Sequence, residues 1–206
     1  MQIIDCQQRS YGWLRARLGI ATASNFSTVL ANGRGGDPSK TRRLYLLKLA
    51  GERLTGEPAA SYVSPHMERG IEMEDEARSF YELMTDAEIR RVGFVRGEIA
   101  GCSPDSLVGD RGMLEIKTAQ PNVLIDLMLR EGFPAEHKAQ VQGQLWIAER
   151  EWVDLLVYWP SLPPIIRRAY RDEKYIADLA AAVEKFDAEL AAIVERVKTH
   201  GSKEAA

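Results

Sequence analysis

From Asp172 onward, Ile176, Leu179, Val183, Phe186, Leu190, Ile193 and Val197 recur at steps of three and four residues. That period puts them on one stripe and predicts a long amphipathic helix over about 172–199. Leu44, Leu47 and Leu54 have related spacing and predict a helix over 41–54, with Ser39 or Thr41 as its cap. Further helices are expected over 67–84 and about 135–149, and an exposed Gly-rich loop over 32–39, NGRGGDPS. Between 91 and 117 the character changes to short apolar runs, RVGFV, GEIAG, SPDSLV, GDRG and MLEIKTA, separated by Gly, Asp and Pro. These read as consecutive strands joined by tight turns, because Gly and Asp supply the positive φ angles that hairpins need. Another apolar strand is expected over 152–159. Helices flanking a small mixed central sheet make an α/β or mixed α+β domain.

Composition leaves that picture intact, since 45% hydrophobic and 28% charged residues are ordinary for a folded chain. A length of 206 residues predicts one domain over 1–206, with a flexible tail over 200–206. The most apolar stretch, 155–166, holds Pro160, Pro163 and Pro164 and falls well short of the roughly 20 residues that span a bilayer. The start, MQIIDCQQRS, lacks the basic region and apolar core of a secretory signal. A cytoplasmic protein is expected, with Cys6 and Cys102 as reduced thiols.

Net charge is −3, but it is unevenly spread. Residues 1–60 carry nine Lys/Arg against four Asp/Glu, and residues 61–120 carry seven against twelve. A polyanion-facing surface would draw on the first third. The acidic middle would suit a cation site, although a solvated acidic helix face is the commoner source of such an excess.

The informative segment is SPDSLVGDRGMLEIK, residues 103–117. Side chains two apart on a strand share a face, so Glu115 and Lys117 point one way and Leu114 and Ile116 the other. With the turn centred near Asp110, residues whose numbers sum to about 220 face each other, and Asp105 lies opposite Glu115. Opposed carboxylates sit about 5 Å apart and repel unless something positive lies between them. Mg²⁺ suits two carboxylates and phosphate oxygens, and Lys117 beside it could orient water or offset charge on phosphorus oxygens. The plainer alternative is a surface hairpin with a Glu and a Lys on its wet face.

Four blocks, WLRARLGIATAS (13–24), RGIEMEDEAR (69–78), CSPDSLVGDRGMLEIK (102–117) and HKAQVQGQLW (137–146), resemble in order the segments of the phage lambda-type alkaline exonucleases. These YqaJ-like viral recombinases are members of the PD-(D/E)xK nuclease superfamily with a restriction-endonuclease-like core. The resemblance implies that Asp105, Glu115, Glu74 and the Ile116 backbone carbonyl are ligands for two Mg²⁺ ions, with Mn²⁺ as a substitute, and that Lys117 is the catalytic lysine. It implies a 5′-phosphate pocket of Arg17, Ser24, Ser103 and Gln140, and DNA contacts from Arg34 and Met67. His137 stands where the phage lambda enzyme has a tyrosine, so its role is left open. The implied activity is 5′-to-3′ exonucleolysis of double-stranded DNA ends by a ring-shaped homotrimer, with a single-strand annealing protein as partner and phage-type recombination as the setting. Two rivals stand beside it: another nuclease of the superfamily, such as a restriction endonuclease or junction resolvase, and a catalytically silent DNA-end binding module.

Overall fold

The structure is a computed structural model that describes residues 1–33, 35–59 and 65–200, leaving aside the side chains of residues 65–67. The chain opens with the strand Gln2–Ile4 (β1) and the helix Tyr11–Ala16 (α1), capped where Ser10 Oγ accepts the Trp13 N–H at 3.2 Å. The strand Ala21–Thr22 (β2), a 3-10 turn over Ala23–Asn25 and the helical turn Phe26–Val29 (α2) follow. Next comes the helix Lys40–Thr55 (α3), capped by Ser39 and closed by Gly56 at φ 72°, where a side chain would be strained. The helix Pro65–Thr85 (α4) precedes five short strands, Ile89–Arg90 (β3), Phe94–Arg96 (β4), Ala100–Cys102 (β5), Ser106–Val108 (β6) and Gly112–Thr118 (β7). The remainder is Pro121–Leu129 (α5), a 3-10 turn Ala135–His137, Lys138–Ala148 (α6), Trp152–Tyr158 (β8), Ile165–Tyr170 (β9) and Glu173–Lys198 (α7).

The predicted run of strands is present, but it is divided between two sheets. One has the order β1-β4-β5-β2 and the other β3-β6-β7-β8-β9. β7 and β8 are parallel, so the chain between them must cross over, and α5 and α6 make that crossover. The faces of β7 alternate as the period of two requires: Leu114 and Ile116 pack with Ala77 and Tyr81 of α4, and Met113 joins the larger core with α6 and α7. Glu115 lies on the Met113 side.

Three helix readings need correction in detail. Leu44, Leu47 and Leu54 are exposed on α3, whose buried face is Arg42, Leu46, Leu49, Ala50 and Glu52. Arg42 is accommodated there by donating to the Val29 carbonyl and to both oxygens of Glu189, which a hydrophobicity pattern cannot anticipate. In α7 the stripe holds through Leu190, after which Val194 is buried and Val197 is half exposed. The helix expected over 135–149 is split, with a 3-10 turn before α6. Residues 201–206 of the expected tail lie outside the described residues.

Candidate active site

In the hairpin, Ser106 pairs with Leu114 and Val108 with Gly112, the register expected from the sum of 220. One position further out, the Asp105 N–H donates to the Leu114 carbonyl at 3.1 Å, and Asp105 Oδ2 accepts the Ile116 N–H at 2.6 Å. Glu115 is 4% exposed, so it does not sit on a wet face. Its Oε1 accepts from Lys117 Nζ at 2.7 Å and from Gln140 Nε2 at 2.6 Å, and its Oε2 accepts from Gln144 Nε2 at 2.6 Å. Burial holds the Asp105 carboxyl well above its ordinary range, with the charges of Glu115 and Glu74 pushing the same way against the Ile116 N–H and Lys117. Burial alone would lower the Lys117 pKa, but the charge and hydrogen bond of Glu115 outweigh it and raise it. The lysine is therefore a fixed cation.

Glu74 reaches this cluster from α4. Its Oε1 accepts from Arg78 Nη2 at 2.7 Å and its Oε2 from Arg9. Arg78 is itself nearly buried and ties Asp75 and Ser106 as well. Asp105, Glu115 and Glu74 each already face a donor, and no group of three His, Cys, Asp or Glu side chains that could hold a metal is found among the described residues. A different buried carboxylate, Asp154, is 1% exposed and is gripped by Tyr81 and by the fork of Arg168. It is part of the core, on the opposite face of the sheet from Glu115.

A cavity of about 420 Å³ adjoins the cluster, lined by Trp13, Arg17, Thr22, Ser24, Asn25 and Tyr45 among others. Arg17 stacks its guanidinium 4.0 Å from the Trp13 ring centroid and donates to Thr22 Oγ1 at 3.2 Å. Burial lowers its pKa, opposed by Tyr45 and Glu52. Ser24 is exposed beside it, with Oγ 3.3 Å from Thr22 Oγ1. The fold places this pocket next to the hairpin because β2 pairs with β5, Thr22 opposite Gly101, and β5 leads directly to residues 103–105. Ser103 Oγ accepts from Trp13 Nε1 at 2.8 Å and so joins the pocket wall to the strand that carries Asp105.

A second cavity, of about 470 Å³, is lined by Glu74, Asp75, Arg78 and Asp105, and it shares Arg9 and Ile71 with the first. The arrangement is an arginine-bearing cavity opening beside a carboxylate cluster.

The sequence profile of the YqaJ-like viral recombinase domain matches residues 12–151, which holds both cavities' key side chains except Arg9. The chain belongs to the YqaJ-like viral recombinase family. No curated protein matches it. Among solved structures it is similar to the alkaline exonuclease LHK-Exo from Laribacter hongkongensis, with 32% identity, 95% of this chain and 100% of that chain covered, and a TM-score of 0.85. LHK-Exo in complex with dAMP gives 32% identity, the same coverage and a TM-score of 0.86. A phage related exonuclease from Haemophilus somnus 129PT shares the fold at 13% identity and a TM-score of 0.67, with 86% of this chain and 96% of that chain covered. The family fold is restriction-endonuclease-like, as the four blocks implied.

For this YqaJ-like domain, the structure brings Asp105, Glu115, Lys117 and Glu74 together at the hairpin, and Arg17, Ser24 and Ser103 around Trp13. Gln140 is not with the second group as expected. Its amide donor is spent on Glu115. His137 ends the 3-10 turn before α6 without capping it, and burial together with the Lys117 charge lowers its pKa. Arg34 and the Met67 side chain lie outside the described residues. Two residues were missed by sequence reasoning, Arg9 and Gln144. Arg9 precedes every predicted element, and Gln144 sits four residues after Gln140, a spacing that would have placed both on one helix face.

Proposed function

We propose that the chain is a single-domain, Mg²⁺-dependent exonuclease that degrades one strand of duplex DNA from a 5′-phosphorylated end. It would release 5′-mononucleotides and leave a 3′ overhang for recombination. The observation that carries this reading is the wall shared by the two cavities: Arg9 and Ile71 border both the pocket of Arg17 and the one that holds Glu74 and Asp105. A strand gripped by its terminal phosphate would present a phosphodiester further along to the carboxylates. In class the chain is a deoxyribonuclease, as its family and its relatives at 32% identity support. That LHK-Exo has been crystallised with dAMP, a deoxynucleoside monophosphate, agrees with the product class.

Asp105, Glu115, Glu74 and the Ile116 carbonyl would hold two Mg²⁺ ions, with Mn²⁺ as a substitute. These hard oxygen donors fit such cations, and the Asp105 carboxyl, raised by burial and then by the charges of Glu115 and Glu74, stands where a cation would favour its ionised form. When bound, the cations supply Lewis-acid stabilisation of phosphoryl oxygens and acidify nearby water. Arg17 holds the terminal phosphate by forked, charge-assisted bonds, with Ser24 as a short neutral donor. Lys117 Nζ, a fixed cation on the hairpin, orients the attacking water or offsets charge on the phosphorus oxygens. The water oxygen bonds to the phosphorus of the second nucleotide, the bond from that phosphorus to the first nucleotide's 3′ oxygen breaks, and a proton from the water reaches the leaving oxygen through solvent. The released nucleotide keeps its own 5′-phosphate. The shortened strand ends in a new one, so each product end is again a substrate end.

The reading extends to a ring-shaped homotrimer around the duplex, a single-strand annealing partner for the 3′ overhang, and a cytoplasmic setting. No described helix is long and apolar enough to cross a membrane.

The test is Mg²⁺-dependent release of acid-soluble nucleotides from a linear 5′-phosphorylated duplex. Asp105→Ala and Lys117→Ala should each lose activity by on the order of 100-fold or more while keeping the wild-type circular dichroism. Full activity in both variants would sink the mechanism, and nicking of closed circles would move the protein to an endonuclease.

A further inference from the structure

Gln144 is 1% exposed, and among the described residues its Oε1 is the buried side-chain polar atom that finds no partner. Its other end, Nε2, donates to Glu115 Oε2 at 2.6 Å. Turning the amide over would set its oxygen against the carboxylate, so Glu115 dictates the orientation and leaves the carbonyl stranded. Val141, Leu145 and Ala148 on the same helix are buried and apolar, and a leucine at 144 would bring no stranded carbonyl of its own but would take from Glu115 Oε2 its described donor.

The helix spacing carries the argument further. Gln140 and Gln144, four apart, lie on one face of α6 and take opposite oxygens of Glu115, whereas Gln142 serves the Tyr170 carbonyl and the Asp172 N–H. A carboxylate offers about four lone-pair sites. Oε1 spends its share on Lys117 and Gln140, and Oε2 has Gln144 as its described donor. Oε2 therefore keeps an acceptor direction in reserve, and Gln144 fixes where it points.

We propose that Gln144 is a positioning residue for the cation site: it locks the Glu115 carboxylate so that the spare acceptor direction of Oε2 faces the cation. This rests on the reading of Glu115 as a ligand. Mn²⁺ titration calorimetry on wild type, Glu115→Ala and Gln144→Leu separates the two claims. Glu115→Ala should abolish binding, and Gln144→Leu should weaken it by on the order of 10-fold to 100-fold. If Glu115→Ala binds like wild type, the reading of Glu115 falls and the proposal with it. If Glu115→Ala loses Mn²⁺ but Gln144→Leu binds within about twofold of wild type, the proposal alone falls. Melting curves test it independently of the ion. Gln144→Leu should lower the melting temperature in the wild-type background and not in Glu115→Ala, where no carboxylate is left to hold, and equal loss in both backgrounds would overturn the assignment.

Discussion

Arg17 is the side chain whose surroundings speak most directly to specificity. It is flat against Trp13, half-buried, and tied to Thr22 Oγ1, so its fork is held in place before any anion arrives. A charge-assisted hydrogen bond contributes about 1.5–3 kcal/mol, and every 1.4 kcal/mol is about tenfold. Arg17→Ala should therefore cut the rate on 5′-phosphorylated duplex by roughly 10-fold to 100-fold. The slow rate on a 5′-hydroxyl end should be almost unchanged. Arg17→Lys should recover little, because an ammonium has no fork. A variant that still prefers the phosphorylated end would show that the pocket reads something else. At this scale the trio of Asp105, Glu115 and Lys117 was legible because strand alternation and hairpin register are local. Arg9, which meets Glu74 across 65 residues, and Gln144, which meets Glu115 across 29, are brought there by packing, and no spacing rule ties them to their partners.

Among the elements, α6 matters most to the site, and Gly143 sets how closely it approaches. A Cβ there would lie 2.3 Å from the Phe26 ring. Gly143→Ala must push α6 outward from α2, costing about 1–3 kcal/mol of stability by overpacking and drawing Gln140 and Gln144 off Glu115. Denaturant melts and nuclease assays should both register it, and a variant with wild-type values in both would contradict the packing. The start of α7 carries a pH dependence. The Tyr175 N–H, then Lys138, hold the Asp172 carboxyl below its ordinary value. A depressed carboxyl stabilises the fold fully above its unfolded pKa, about 3.9, and that contribution fades as pH falls through the lower folded value. Asp172→Asn should melt below wild type at neutral pH, with the gap closing under strong acid, and a gap independent of pH would remove the carboxylate from the account. The helices α3, α4 and α7 were legible because the rhythm of 3.6 extends over many residues. α5, β1 and β9 were not: β1 is three residues long, and β9, IIRRAY, alternates weakly behind a Pro-rich turn. Leu44, Leu47 and Leu54 misled about which face of α3 is buried, because a second apolar set, Leu46, Leu49 and Ala50, packs inward together with the ion-paired Arg42.

For the whole molecule, the basic first third suggested a polyanion-facing surface, but much of that charge is spent internally. Arg42 and Arg53 pair with Glu189 and Asp187 of α7, Arg9 with Glu74, and Arg17 lines the pocket. What remains suits a protein that grips an end rather than one that coats a duplex. The proposed ring would confine DNA topologically and so need fewer phosphate contacts than an open clamp. The central claim is that the Arg17 cavity and the carboxylate cavity act together on one strand, the end held in the first and the bond cut in the second. The most direct measurement is degradation of a duplex labelled separately at each 5′ and 3′ end, with and without a 5′-phosphate, in Mg²⁺. The expected result is prompt release of 5′ label as mononucleotide, faster from phosphorylated ends, with 3′ label retained in long single strands. Release of 3′ label first, or equal rates with and without the 5′-phosphate, would contradict it.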